Sequence, residues 1–145
     1  MIEELNRTWN GDAWYGPSVR PLLDGITEEQ ARAHPIANAH SILELVLHSA
    51  FWMEMTARRL EGFTGEATAQ QDWRDVAKTT WAAAVKELER AYAALLDRVA
   101  RMSDEQMNQT VGKKGHTAYT VLIGVIEHNV YHAGQIAALK KSLTP

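Results

Sequence analysis

Histidine is the residue type in this chain with the clearest capacity for chemistry, since the sequence holds six histidines and no cysteine. Any metal ion would therefore be held by nitrogen and oxygen atoms. His128 and His132 lie four residues apart, which in a helix places two side chains one turn apart and about 40° apart around the axis. Two imidazoles so placed can reach one metal ion. No glutamate lies between them, so the pair is not the zinc-protease motif with the same spacing.

His48 is a third histidine whose side chain the apolar pattern predicts to face the protein interior. Val125 shares the face of His128, and Leu45 and Met55 lie on the side of His48. Inward side chains on facing helices are the usual way in which helical bundles build metal sites. Two interpretations stay open at this point. The three histidines are ligands of one metal, or they are hydrogen-bonded residues of the core or surface.

Two polar residues lie about one helical turn from these histidines, and each has two interpretations. Glu44 precedes His48 and is a candidate catalytic residue that would orient an imidazole or accept a proton. It is equally suited to close a capping box with Ser41. Gln135 follows His132 and would hydrogen-bond a ligand, a substrate or a backbone group.

Aromatic residues flank the three histidines. Trp52 and Tyr131, together with Gln135, are predicted to line a substrate pocket, although aromatic residues at this spacing also suit a core. The remaining histidines, His34, His40 and His116, precede helix starts or lie in a loop. We expect them to be solvated or to form local hydrogen bonds.

The elements that must position these residues are helices, because apolar residues recur at spacings of three and four and no segment alternates as a strand would. The predicted helices cover residues 2–10, Pro17 to about Asp24, Ser41 to about Leu60, Asp72 to about Met102, and Thr117 to about Lys141. Short capped turns are expected at Thr27 and Ser103. This pattern predicts an all-α four-helix bundle that forms a single domain over residues 1–145. The long loop from Glu61 to Gln71 favours one crossover connection between the second and third main helices.

Composition and charge narrow the class of protein. The chain has 145 residues, of which 46% are hydrophobic and 23% charged, and its formal net charge is -3. That balance gives no basic surface for nucleic acid. The N-terminal residues lack an apolar stretch, and the longest apolar run is too short to span a bilayer. We therefore expect a cytoplasmic protein that binds neither nucleic acid nor membrane.

Two segments resemble the DinB/YfiT-like family. They are SILELVLHSAFW at residues 41–52 and VIEHNVYHAGQI at residues 125–136, in which an H-x3-H pair is followed by AGQI. The N-terminal WYGPS and LLDG are also similar to that family. The resemblance implies a four-helix bundle, often a homodimer, with one divalent metal held by three histidines. Carried over position by position, the ligands are His48, His128 and His132.

The resemblance also implies a range of activities, since the family includes thiol-dependent S-transferases and isomerases, hydrolases, and members with no known activity. We expect an enzyme that uses zinc, nickel or iron and acts on a small molecule, with a low-molecular-weight thiol as one candidate. Three protein ligands leave a coordination position for water or a thiol, and the ligand set does not choose between them. The alternative is a non-catalytic bundle that binds a metal or small ligand as a stress-related sensor or carrier.

Overall fold

A computed structural model describes residues 1–143, and this part of the chain is mostly helical, as the predicted all-α class requires. The predicted domain also includes residues 144 and 145, which lie outside the described residues. Along the described chain the elements are α1 (Ile2–Asn10), α2 (Val19–Leu22), α3 (Glu28–Arg32), α4 (Ile42–Leu60), α5 (Ala69–Asp72), α6 (Trp81–Ala100), α7 (Asp104–Asn108), β1 (Thr110–Val111), β2 (His116–Thr117) and α8 (Ala118–Ser142). No helix in the described part is long and apolar enough to cross a membrane.

Reciprocal side-chain caps fix the start of α4 and of several short helices. The Ser41 hydroxyl accepts a hydrogen bond from the Glu44 N–H, and the Glu44 carboxylate accepts one from the Ser41 N–H. The same capping box begins α3 at Thr27 and α7 at Ser103, so both predicted capped turns are confirmed. These caps satisfy backbone N–H groups that the first helical turn leaves without partners.

The predicted helix from Asp72 to about Met102 is wrong over its first part. Asp72 is the last residue of α5 rather than the first residue of a long helix, and α6 begins only at Trp81, with Thr80 as its cap. The intervening residues, 73–80, are not helical. The apolar residues of this segment have the spacing of a helix face, but the segment is not helical.

Contacts from α3 explain why residues 73–80 do not extend the helix. The Arg32 guanidinium donates to the carbonyl oxygens of Val76 and Thr79, at 3.4 and 2.5 Å. The Glu28 carboxylate accepts the Trp81 N–H at 2.6 Å. These bonds occupy backbone groups that a continuous helix would pair internally. Tertiary contacts therefore override the local pattern.

Two smaller predictions also need correction. Residues 1–143 contain two strands, since Thr110 pairs with Thr117 and Val111 with His116 in an antiparallel hairpin. Two-residue strands are too short to show the alternation that marks a strand in a sequence. The second helical piece begins at Val19 rather than at Pro17, because Ser18 has the extended backbone of an N-cap.

The core lies around α4, which packs against α6 and α8, while α1 packs against the same two helices. The largest fully buried apolar side chains come from α4, α6 and α8: Ile42, Leu43, Val46, Leu47, Met53, Leu88, Leu95 and Leu122. At the carboxyl ends of α4 and α6, the Arg98 guanidinium donates to the Leu60 carbonyl oxygen at 2.7 Å. This packing turns the faces of α4 and α8 that carry the three histidines inward.

Candidate metal centre

Helices α4 and α8 bring His48, His128 and His132 into one cluster. The Nε2 atom of His128 lies 2.9 Å from Nε2 of His48 and 3.1 Å from Nε2 of His132. One ligand atom from each of the three lies within 4.8 Å of the other two. His48 and His132 are buried, with 7% and 6% of their surface exposed, and His128 is half-buried. The geometry is therefore compatible with a three-histidine metal site.

Asp72 orients the His48 ring. The Nδ1 atom of His48 lies 3.0 Å from the Asp72 carbonyl oxygen and 3.1 Å from Oδ1 of its carboxylate. The Trp52 indole N–H donates to the same Oδ1 at 2.7 Å. Both oxygens are acceptors, so the proton of a neutral His48 resides on Nδ1 and its Nε2 lone pair faces the cluster. A carboxylate behind a histidine is the arrangement that commonly supports metal-ligating imidazoles.

Gln135 orients the His132 ring, as Asp72 orients that of His48. The Gln135 Oε1 atom lies 2.6 Å from Nδ1 of His132, while its Nε2 donates to the Tyr131 hydroxyl at 3.4 Å. This bond again places the imidazole proton on Nδ1 and leaves the Nε2 lone pair free. Gln135 thus hydrogen-bonds one of the three proposed ligands, which is one of the interpretations that its sequence position allows.

The hydrogen-bond donors and acceptors of the cluster do not match one another, and a bound cation would resolve the mismatch. Two unprotonated Nε2 atoms, on His48 and His132, both point at Nε2 of His128, which can donate a proton to only one of them. A metal among the three Nε2 atoms would satisfy all three lone pairs at once, and nitrogens sharing one ion at about 2.1 Å each lie within about 4.2 Å of one another. The donor set and its spacing therefore suit a divalent transition metal.

Trp73 packs against the outer face of the cluster. Its ring stacks on His48 at 3.9 Å between centroids and on His40 at 3.5 Å, with interplanar angles of 6° and 3°. One indole is thus held between two imidazoles. This stack fixes the plane of the His48 ring in addition to the Asp72 contacts.

A cavity of about 440 Å³ opens beside the cluster. Trp52 and His128 line it near the imidazoles, and Val121, Gly124 and Val125 of α8 form an apolar wall. A volume in this range suits a small organic ligand. His128 belongs both to the histidine cluster and to the cavity wall, so the cavity adjoins the proposed metal site.

A family model described as the DinB superfamily matches residues 17–136, which is most of the chain. The chain belongs to the DinB superfamily. No curated protein and no solved structure gives a significant match. Membership of the DinB superfamily confirms the resemblance seen in the two histidine segments, and both of those segments lie within the matched range.

The two aromatic residues predicted to line a substrate pocket in this DinB superfamily protein differ in their position relative to the cavity. Trp52 lines the cavity and lies edge-on to His48 and His128, with centroids 6.4 and 6.3 Å apart. Tyr131 is 64% exposed and packs its ring edge against His132 at 5.2 Å, outside the cavity lining. The structure therefore brings Trp52 to the cavity and leaves Tyr131 on its outer side.

Glu44 is engaged at the start of α4. Its carboxylate accepts the Ser41 N–H at 2.7 Å and lies 3.1 Å from Nε2 of His34. Burial by itself would raise the pKa of Glu44, but the backbone and side-chain hydrogen bonds from Ser41 and the contact with His34 together lower it. No hydrogen bond joins Glu44 to the three clustered histidines in the described part of the chain. A catalytic role for Glu44 stays a prediction.

Sequence reasoning missed the two residues that support His48 from outside its own helix, Asp72 and Trp73. A signal was present, because Thr68 and Gln71 have the T-x-x-Q spacing of a capping box and form one in the structure. That box predicts a helix that begins just after Thr68, ahead of Asp72. The approach of Asp72 to His48 follows from tertiary packing and has no local signature.

The pKa of His128 predicts how acid affects the metal-free DinB superfamily protein. Burial, together with the positive charges of protonated His132 and His48, lowers the pKa of His128 from 6.5 to about 4. Burial also lowers the pKa of His132. Between about pH 6.5 and pH 4 the unfolded chain takes up a proton that folded His128 does not, so the free energy of unfolding is expected to fall as pH decreases. Solvent screening of the half-buried ring reduces the expected loss to about 1–2 kcal/mol.

Urea unfolding of metal-free protein at about pH 7 and about pH 5 measures this loss. The variant His128→Gln lacks the titrating ring and should show a smaller change over the same interval. Equal unfolding free energies at both pH values in the unmodified protein would contradict the prediction.

Proposed function

We propose that this protein is a metal-dependent enzyme that acts on a small molecule through a three-histidine centre. The proposal rests on the location of His128, which belongs to the histidine cluster and also lines the adjoining cavity. His48, His128 and His132 would hold one divalent metal such as zinc, nickel or iron. A ligand in the cavity would then meet the side of the centre that the three imidazoles leave open.

The chain's own groups set up this centre. Asp72 and Gln135 fix the rings of His48 and His132 with their Nε2 atoms inward. Trp73 holds the His48 plane, and Trp52 links the Asp72 carboxylate to the cavity wall. A divalent metal held there would lower the pKa of a water or a thiol at its open position. Hydrolysis and thiol transfer are accordingly the two reaction types proposed.

The cavity favours this function over the non-catalytic alternative, in which the bundle is a sensor or carrier. Structural zinc sites are closed by four protein ligands, whereas catalytic sites retain an open position beside a pocket. Here the group of possible ligands comprises three residues among those described, and a cavity of about 440 Å³ lies against one of them. That combination supports an enzyme.

We further propose that the longer helices α1, α4, α6 and α8 form a four-helix bundle, that the chain is one domain, and that α4 and α6 are joined by a crossover. The bond between Arg98 and the Leu60 carbonyl supports the crossover, because it pairs the carboxyl ends of the two helices. The homodimer, the low-molecular-weight thiol and the cytoplasmic location stay predictions.

The function is tested with protein loaded with zinc, nickel or iron and assayed against an activated ester and against an electrophile with a panel of thiols. We expect at least about 100-fold more turnover from loaded than from metal-free protein, since a metal lowers the barrier by several kcal/mol. The variant His128→Ala should lose this turnover, and free metal in buffer is the control. Equal turnover in loaded and metal-free protein would contradict the proposal, whereas tight metal binding without turnover would favour the sensor or carrier.

A further inference from the structure

The cavity beside the histidine cluster is elongated along α4 and α8. On α4 its lining runs from Trp52 to Arg59, a rise of about 10 Å at 1.5 Å per residue. On α8 the lining runs from Thr120 to His128, a rise of about 12 Å. Trp52 and His128 lie at the end near the imidazoles, so the backbone positions of Arg59 and Thr120 lie at the remote end, from which the Arg59 side chain extends back toward Trp52.

The remote end of the cavity is basic. Arg59 of α4, Lys114 of the hairpin turn and His116 of β2 all line it. Glu66 is the one acidic side chain among the described residues of the lining, so two full positive charges face one negative charge. The whole chain has a formal net charge of -3, which makes this basic end a local feature. A local charge of this kind suits a small anion rather than a polyanion.

Arg59 is held in place but has no anionic partner. No hydrogen bond or ion pair to its guanidinium is present among the described residues. Its guanidinium carbon lies 5.6 Å from the Trp52 ring centroid. Its side-chain stem packs beside the hairpin, where a Cβ on Gly112 would lie 3.5 Å from the Arg59 Cδ. A positioned, half-buried guanidinium without an acceptor is suited to bind a carboxylate or phosphate through two parallel hydrogen bonds.

We propose that Arg59, assisted by Lys114, binds the anionic group of a small molecule whose other end reaches the metal centre at His128. The Arg59 guanidinium carbon lies 5.6 Å from the Trp52 ring centroid, which lies 6.3 Å from the His128 ring centroid. The ligand class is therefore a small carboxylate or phosphate that can pass Trp52 and place a metal-binding atom at the centre. Its middle lies against Val121, Gly124 and Val125. The assignment of the reactive end rests on the proposed function, whereas the anion site rests on Arg59, Lys114 and the cavity and needs no metal.

Cobalt-loaded protein and a matched set of thiols test the whole arrangement. Mercaptohexanoate and mercaptohexyl phosphate carry an anion at the far end, and mercaptohexanol is the neutral control. Thiolate binding at the centre is read from the sulfur-to-cobalt absorption band. We expect at least one anionic thiol to bind about tenfold more tightly than the alcohol, and the tighter of the two identifies the anion. Equal affinity for all three thiols would overturn the proposal.

Neighbouring arginines provide matched variants. Arg59→Gln should abolish the roughly tenfold preference for the anionic thiol, and Arg59→Lys should retain part of it. Arg58→Gln is the control, because Arg58 lies over the Phe63 ring at 3.9 Å and does not line the cavity. Gly124→Leu tests the path between the two ends, since a Cβ at Gly124 has no atom within 4 Å outside its own helix backbone. This variant should bind metal normally and bind all three thiols weakly, and unchanged thiol binding would overturn the proposed path.

If cobalt binds no thiol, that result would contradict thiol transfer as the proposed reaction, and a separate measurement tests the anion site. Hexanoate added to metal-free protein should shift the NMR resonance of the Arg59 Nε–H and leave that of Arg58 in place. A saturable shift at Arg59 would support the anion site without the metal. Absence of any shift at Arg59 in the folded protein would overturn it.

Discussion

Alanine in place of His48, His128 or His132 is expected to reduce bound metal from about one ion per chain to less than about a tenth. Each substitution removes one of three convergent nitrogen ligands, and two imidazoles bind a divalent ion far more weakly than three. His34→Ala is the matched control, because His34 is exposed and lies against Glu44 outside the cluster. Elemental analysis of untagged protein, purified without chelators, measures the metal content.

Two results would contradict the three-histidine site. One is unchanged metal content in His128→Ala, because Nε2 of His128 is the atom that both other histidines approach. The other is absence of metal from the unmodified protein after reconstitution with zinc, nickel and iron. Circular dichroism of each variant distinguishes loss of a ligand from loss of the fold.

Asp72→Asn is expected to weaken metal affinity by about 10- to 100-fold while leaving the fold in place. The substitution removes the negative charge that lies 3.1 Å from Nδ1 of His48 and that makes this imidazole a stronger ligand. The asparagine oxygen can still accept the Trp52 indole N–H, and the backbone carbonyl contact to His48 is retained. Competition with a chelator of known zinc affinity measures the change.

Asp75→Asn is the control for this second prediction. Asp75 is exposed, lies in the same connection, and accepts only the Ala77 N–H among the described contacts. Metal affinity should be unchanged in that variant. Equal losses of metal affinity in both variants would show that the negative charge of the segment between α4 and α6, rather than the contact of Asp72 with His48, determines the affinity.

The sequence predicts the half of the centre that is carried on regular helices. An i, i+4 pair in an amphipathic helix fixes the relative direction of His128 and His132 whatever else the chain does. The capping box at Ser41 fixes the start of α4 and hence the face on which His48 lies. These features depend on local geometry, which a sequence records directly.

The supporting half of the centre depends on contacts between distant parts of the chain. Arg32 holds residues 73–80 out of a helix, and this non-helical path follows directly after Asp72, the residue that meets His48. The apolar spacing of the same residues indicates the opposite conformation. Arg59 likewise resembles an ordinary arginine at a helix end, and only the folded chain places Lys114 and His116 beside it in the lining of the cavity. Neither the path of residues 73–80 nor the position of Arg59 beside the hairpin is marked by a pattern of neighbouring residues in the sequence.

The separation of the three histidines along the chain has a consequence for biosynthesis. His48 and His128 are 80 positions apart, and the supporting Asp72 lies between them, so no partly synthesised chain that ends before α8 can present the site. Contacts at such separation form after local helices, because closing a long loop is entropically unfavourable. Insertion of the proposed metal would thus follow folding, and metal bound in a cell extract would then report how much of the protein has reached its native state.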